Sequence, residues 1–306
     1  MLRVLFLGTG GSFPTPIRNT SAILINRDGE LILFDCGEGA QRQMMRAKSG
    51  MGSLGSVFLT HLHADHFLGL PGVIQTLSFQ KRTEPLMIFG PKGTKELMVH
   101  IMALGNFKSR FEVQIEEVSS GDVIKRSGYE IRVIRTEHSI RSVGYVLEED
   151  IRLGRFDRER AIELGVPPGP IFSKLHHGGS VTIKGREIKS EEVVGPPRPG
   201  RKIVYTGDTR PCNAVIEAAK GADLLIHDST MADELADWAV EYRHSTSREA
   251  AQVAKEAGVL RLILTHISPR YSDGTRRLLE DARKIFSNAI VAEDLTEIEV
   301  QYRDKK

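Results

Sequence analysis

The segment Thr60-His61-Leu62-His63-Ala64-Asp65-His66 follows the apolar run Ser56-Val57-Phe58-Leu59. It places three of the chain's ten histidines and one carboxylate within six residues. The apolar run reads as a strand, and a tight turn after it would hold His61, Asp65 and His66 near its end with their side chains converging on one spot. Imidazole and carboxylate together suit a borderline divalent ion such as zinc. Four ligand types in so short a stretch exceed what one catalytic zinc usually takes from a single segment, which points to two metals. The plainer alternative, a solvated His-rich turn, has the density of histidine against it.

Three further apolar runs end on residues of the same kinds. Glu130 to Ile134 leads into Thr136-Glu137-His138, Lys202-Ile203-Val204-Tyr205 into Thr206-Gly207-Asp208-Thr209, and Leu260 to Leu264 into Thr265-His266. Loops at strand ends are where packed α/β scaffolds gather chemistry. Leu59-Thr60-His61 and Leu264-Thr265-His266 even repeat one local pattern near opposite ends of the chain. Taken singly, a His or Asp after a strand is more often a cap or a surface residue. Taken with the first cluster, they complete a seven-ligand set: His61, His63, Asp65, His66, His138, Asp208 and His266.

At 306 residues and 40% hydrophobic content, the chain has material for one large domain or two small ones. Its two cysteines, Cys36 and Cys212, lack metal-ligand spacing, which argues for a reducing cytosol and against thiolate zinc while leaving a single disulfide open. Met1 to Leu7 reads as a first strand and not as a signal peptide. No apolar run approaches the ~20 residues that span a bilayer, so a soluble cytoplasmic protein without a membrane segment is expected. Net charge is only +2, but residues 151–190 carry eight Lys/Arg against four Asp/Glu. Such a basic segment is what a phosphate-contacting appendage needs, and a solvated charged helix face explains the charge equally well.

Strand and helix patterns alternate along both halves of the chain. Arg27-Asp28-Gly29 marks a hairpin turn between two apolar runs, and a helix is expected over Phe67 to Ser78. Two similar halves of this kind predict two sheets sandwiched between helices, an α/β architecture. Residues 150–195, with Pro167-Pro168-Gly169-Pro170 and Gly178-Gly179, break the rhythm and read as an inserted, protruding arm within one domain spanning 1–306.

His61-Leu62-His63-Ala64-Asp65-His66, with distant His138, Asp208 and His266, resembles the metal motif of the metallo-β-lactamase superfamily. Further segments are similar, within it, to the ribonuclease Z family of tRNA 3′-processing endonucleases. They are Leu7-Gly8-Thr9-Gly10, Pro14 to Asn19, Phe34 to Gln43, Pro167 to Pro170, Gly207 to Pro211 and His244-Ser245-Thr246, so the resemblance is nearly full length. The resemblance implies the αββα sandwich of the superfamily, a homodimer for which the apolar Phe67–Phe79 region is a candidate interface (a core helix being the alternative), and precursor tRNA as substrate gripped by the arm. It assigns one Zn2+ to His61, His63, His138 and Asp208, and a second to Asp65, His66, His266 and the same Asp208. A carboxylate can bridge two cations in a way that an imidazole cannot.

The implied reaction is hydrolysis of a phosphodiester by a metal-bound hydroxide, with Asp65 as general base and His244 as donor to the oxyanion or to the leaving 3′ oxygen. The alternatives are that Asp65 is a ligand alone and that His244 merely neighbours a helix cap. Two departures from the family stand out: Pro16 where a basic residue is common, and His227-Asp228-Ser229-Thr230 where His-Glu-Ala-Thr is common. Asp35 reads either as the acceptor of a ligand imidazole's free N–H or as part of a structural turn. His100 reads as part of a helix, and His176 and His177 as part of the arm. The competing function is another hydrolase of the same fold, acting on a small ester, a lactone or a cyclic nucleotide. The small-ester or lactone reading predicts no basic insertion, whereas a cyclic-nucleotide phosphodiesterase shares the chemistry. A third reading, a non-catalytic relative, would be marked by lost metal ligands, and all seven positions are filled.

Overall fold

Asp28 and Gly29 both take positive φ, 50° and 97°, in the computed structural model, which describes residues 1–105 and 108–303. This two-residue turn matches the twist of its flanking strands and sets Arg27 opposite Glu30. It belongs to a seven-stranded sheet in the order Glu297–Glu299, Leu2–Gly8, Ala22–Arg27, Glu30–Phe34, Leu54–Phe58, Leu86–Gly90, Val113–Glu117. The last four of these strands run parallel. A second seven-stranded sheet has the order Ala289–Val291, Leu262–Thr265, Leu224–Asp228, Lys202–Tyr205, Val143–Glu149, Tyr129–Arg135, Val123–Arg126. Its first four strands are parallel, so their C-terminal ends share one edge.

Alternation of side chains along the strands builds the layers. In Glu30–Phe34, Leu31 and Leu33 join a core with Leu70, Val73, Ile74 and Leu77 of the helix Leu70–Phe79. Phe34 points the other way and stacks on Tyr145 and Tyr205 of the second sheet, with ring centroids 5.6 and 5.8 Å apart. The outer face of the second sheet packs Val204, Leu225, Leu262 and Leu264 against the alanines of Ser247–Ala257. The order of layers is therefore helix, sheet, sheet, helix, as the sequence predicted.

Several elements differ from the sequence reading. The single helix expected over Phe67 to Ser78 is two, Ala64–Phe67 and Leu70–Phe79. The break falls where Gly69 docks on the preceding loop: its N–H bonds to the Cys36 carbonyl at 2.8 Å, and a Cβ there would lie 2.2 Å from the Gly37 carbonyl. The second helix turns its apolar face into the core, leaving Leu68 and Phe79 exposed at either end. Val143–Glu149, buried along nearly its whole length, has no alternating pattern and was not anticipated; neither were Val123–Arg126, Ala289–Val291 or the helix Ala236–Glu241.

Residues 148–200, with 127–129, form a compact unit of their own. Two short helices, Arg158–Glu163 and Pro170–His176, and the hairpin Ser180–Ile183/Arg186–Lys189 close on Ala161, Val166, Leu175, Ile188 and Val193. Seven of the eight basic side chains between 151 and 190 are exposed, Arg152 being half-buried. Among the described residues no helix is long and apolar enough to cross a membrane.

Candidate metal centre

Each strand end named above delivers its side chain to one place. Leu54–Phe58 is followed by His61, His63, Asp65 and His66, Tyr129–Arg135 by His138, Lys202–Tyr205 by Asp208, and Leu262–Thr265 by His266. Two positions need special backbone. Gly207, just before Asp208, has φ 58°, and a Cβ there would meet Thr60 at 2.6 Å. Gly11 lies so close to His266 that a Cβ would fall 2.5 Å from the imidazole ring. His266 and Asp35 themselves take left-handed φ of 58° and 55°. Such strain persists in a non-glycine residue only where its surroundings over-determine it.

The ligand atoms form two cages that share Asp208. In one, His63 Nδ1 lies 3.0 Å from His61 Nε2 and 3.2 Å from His138 Nε2. Asp208 Oδ2 lies 3.5 Å from His61 Nε2 and 3.9 Å from His138 Nε2. In the other, Asp65 Oδ2 is 3.5 Å from His66 Nε2 and 3.4 Å from His266 Nε2. Asp208 offers Oδ1 to His66 Nε2 at 3.4 Å and Oδ2 to His266 Nε2 at 3.2 Å. Tetrahedral ligands at bonds of about 2.0–2.1 Å sit roughly 3.3–3.4 Å apart, and His61, His63, His138 and Asp208, like Asp65, His66 and His266, lie close enough together to hold a cation. His66 Nε2 and Asp208 Oδ1 are buried and make no hydrogen bond. Orphaned atoms of this kind are costly unless something such as an ion satisfies them.

The electrostatics fit the same purpose. Burial alone would raise the Asp208 carboxyl, but His266, His66 and His61 hold it well below the usual carboxylate range. Burial opposes charge on His66, yet Asp208 and Asp35 pull its imidazole well above the ordinary value. Asp65, against the same burial, is held low by the hydrogen bond from His266 and by His66, and its Oδ2 also accepts the Ser12 N–H at 2.8 Å.

A second layer of partners fixes the ligands. Asp35 accepts His66 Nδ1–H at 2.8 Å, the Thr60 N–H at 2.7 Å and the Tyr205 hydroxyl at 2.7 Å. Thr60 Oγ1 lies 3.0 Å from His61 Nδ1, Thr230 Oγ1 2.8 Å from His266 Nδ1, and the Arg243 carbonyl 3.0 Å from His138 Nδ1. Partners that hold an imidazole by its other nitrogen set its tautomer and direction. Of the two readings of Asp35, the structure selects the acceptor.

His244 joins the cluster from the loop before Ser247–Ala257. Its Nδ1 is 2.9 Å from Asp228 Oδ2, so the shorter aspartate reaches it. Burial opposes its charge, but the Asp228 carboxylate raises the imidazole to about 9. Asp228 also accepts from Thr209 N, Thr230 N and Thr230 Oγ1, at 3.0, 3.0 and 2.7 Å. Although Asp208, Asp228, His244 and His266 lie close enough to hold an ion, Asp228 and His244 are already paired with each other. All eight site residues named from sequence thus come together, whereas His100, His176 and His177 join no such group among the described residues. The sequence reading missed Thr60, Thr230 and Tyr205 as supports, as well as the inward turn of Arg18. Arg18 is buried and donates to Thr9 Oγ1 at 2.5 Å and to the Ala292 carbonyl at 2.6 Å.

Comparison with known proteins locates this arrangement. The family described as "Beta-lactamase superfamily domain" matches residues 179–267, and that described as "Anti-Pycsar protein Apyc1" matches residues 2–156. Ribonuclease Z of Methanosarcina acetivorans is 59% identical over 303 residues, covering 99% of each chain. Ribonuclease Z of Haloferax volcanii is 53% identical, covering 99% of this chain and 96% of its own. The crystal structure of the short form of human tRNase Z superposes with a TM-score of 0.72 at 29% identity, covering 98% and 99% of the two chains. A metallo-beta-lactamase fold protein of Bacillus subtilis, YhfI, shares the fold at a TM-score of 0.70 and 20% identity, covering 98% of this chain and all of its own.

Proposed function

Because the chain belongs to the ribonuclease Z family of the metallo-β-lactamase superfamily, we infer that it is a zinc-dependent endoribonuclease that removes 3′ trailers from tRNA precursors and leaves a 3′-hydroxyl on the tRNA. The observation that carries this reading is the whole-length match to ribonuclease Z, which runs through the basic unit as well as the metal-binding strand ends. His61, His63, His138 and Asp208 would hold one zinc, and Asp65, His66, His266 and Asp208 the other. Bound there, zinc would lower the pKa of water toward neutrality and draw charge from the non-bridging oxygens of the phosphodiester.

The chain's own groups perform the proton transfers. Asp65 is held ionised with Oδ2 turned to His66 and His266, and its other oxygen accepts the proton of the attacking water. As the water oxygen bonds to phosphorus, the bond from phosphorus to the 3′ oxygen breaks. His244, tethered through Nδ1 to Asp228, delivers the Nε2 proton to that leaving oxygen. The Asp228 carboxylate favours the protonated imidazole that this step needs. The reading includes a cytoplasmic homodimer, for which exposed Phe79 and Leu68 offer contacts.

The direct test is to incubate the purified chain with a 3′-extended tRNA transcript and map the new end. A single cut at the base of the trailer, with a 3′-hydroxyl on the tRNA, is expected. An intact transcript, beside hydrolysis of a small ester or a cyclic nucleotide, would replace this function with the competing one.

The exposed cations of the basic unit should neutralise phosphates of the bound RNA. Replacing Arg158, Lys174, Lys184 and Lys189 together with alanine is expected to lower kcat/KM on precursor tRNA by about tenfold or more at moderate salt. The slope of log kcat/KM against log salt should flatten by roughly one for each phosphate that is no longer neutralised. An unchanged slope would remove the unit from tRNA binding.

A further inference from the structure

His244 is held through its ring by Asp228, through its N–H by the Ala239 carbonyl at 2.8 Å, and through its carbonyl by a pair of residues that stand outside the ligand cages. Arg210 lies two residues beyond Asp208, and its N–H donates to the Glu137 carbonyl at 2.7 Å, beside His138. Its guanidinium Nη1 donates to the His244 carbonyl at 2.5 Å and to Glu249 Oε2 at 2.8 Å, and Nη2 donates to Glu249 Oε1. The pair is largely enclosed, with side-chain exposures of 15% and 30%.

Glu249 has a second duty. Its Oε2 accepts the Thr246 N–H at 2.9 Å while its own N–H donates to Thr246 Oγ1 at 3.1 Å, which closes the capping box of Ser247–Ala257. One carboxylate therefore fixes where that helix begins, and the guanidinium bonded to it fixes the carbonyl of His244 just before it. The chain enters this turn through Arg243 at φ 59°, a conformation that a non-glycine residue keeps only when its neighbours impose it. Ser245 Oγ donates to the Thr209 carbonyl at 2.6 Å and ties the same turn to the Asp208 loop.

We propose that Arg210 and Glu249 are positioning residues for His244, fixing the backbone from which its imidazole reaches the leaving oxygen. A planar guanidinium can meet a carboxylate with two donors and still reach a carbonyl; an ammonium on a flexible stem cannot hold that geometry. The proposal rests on the reading that His244 acts in the chemical step. It adds that the distance from His244 to the reacting phosphodiester is set by a charge pair outside the ligand cages.

The test is a double-mutant cycle on the full chain, loaded with zinc, with precursor tRNA at saturating and limiting concentration. Arg210→Ala and Glu249→Gln are each made in the parent and in His244→Ala. Glutamine still presents an oxygen to the Thr246 N–H, so Glu249→Gln keeps the helix start and carries the test if Arg210→Ala fails to fold. In the parent, each substitution should lower kcat about 10- to 100-fold and leave KM within about threefold. In His244→Ala the same substitutions should cost less than about twofold, because the residue they position is gone. Arg210→Lys should recover only part of the loss. Equal losses in both backgrounds, or a loss carried by KM or by zinc content, would overturn the proposal and leave the pair a general support of the fold. The functional reading is judged separately, on whether the parent cuts the same RNA; the cycle runs on any phosphodiester that the parent turns over.

Discussion

Replacing Asp208 with alanine is expected to empty both cation positions and to lower phosphodiester cleavage by roughly four orders of magnitude. Among the described residues Asp208 alone faces both groups: Oδ2 faces His61, His138 and His266, and Oδ1 faces His66. Removing it also takes away the carboxylate charge that would offset both cations, leaving the imidazoles and Asp65 to hold them with one negative charge fewer. Elemental analysis should find about two zinc ions in the parent and well under one in the variant. His138→Ala touches a single cage and should retain about one. Retention of both ions by Asp208→Ala would end the bridging assignment and, with it, the shared-carboxylate account of the site.

Loss of His244 should be the next largest effect and should depend on the leaving group. His244→Ala is expected to reduce kcat on precursor tRNA by about 10²–10⁴, the usual contribution of a positioned acid. A substrate whose leaving 3′ oxygen is replaced by sulfur needs no proton at that atom, so on it the variant should come within about tenfold of the parent. Asp228→Asn keeps the shape of the partner but not its charge, and should fall between the two on the natural substrate. If His244→Ala loses the same factor on oxygen and sulfur leaving groups, the residue stabilises charge on the phosphate and does not protonate the leaving atom. Zinc content must be unchanged for either result to be read, which is expected because Asp228 and His244 are paired with each other at 2.9 Å.

These expectations draw on two kinds of information. The seven residues that converge at the strand ends, and the sandwich, were legible in the chain itself, because both are local signals. An apolar run followed by His or Asp marks a strand end with chemistry on it, and alternating strands and helices can bury their apolar faces only as layers. The Asp28-Gly29 hairpin and the capping box at Thr246 are short-range in the same sense. The supports of the site are not. Asp35 meets His66 across 31 residues and Tyr205 across 170, and Arg210 meets Glu249 across 39. Nothing near Asp35 in the sequence decides between a turn and an imidazole acceptor, since a hydrogen bond between distant residues leaves no periodic trace. The split of the helix at Gly69 has the same origin, in the close approach of the Cys36–Gly37 backbone, and so does the small core of residues 148–200, whose apolar residues are too sparse to show a period. The sequence by itself therefore determined which residues are candidate metal ligands and in which class of fold they meet. Only the tertiary structure decided which distant groups hold the imidazoles of His66, His138 and His266 by their other nitrogen and which carboxylate meets His244, because those partners become neighbours only when the chain has folded.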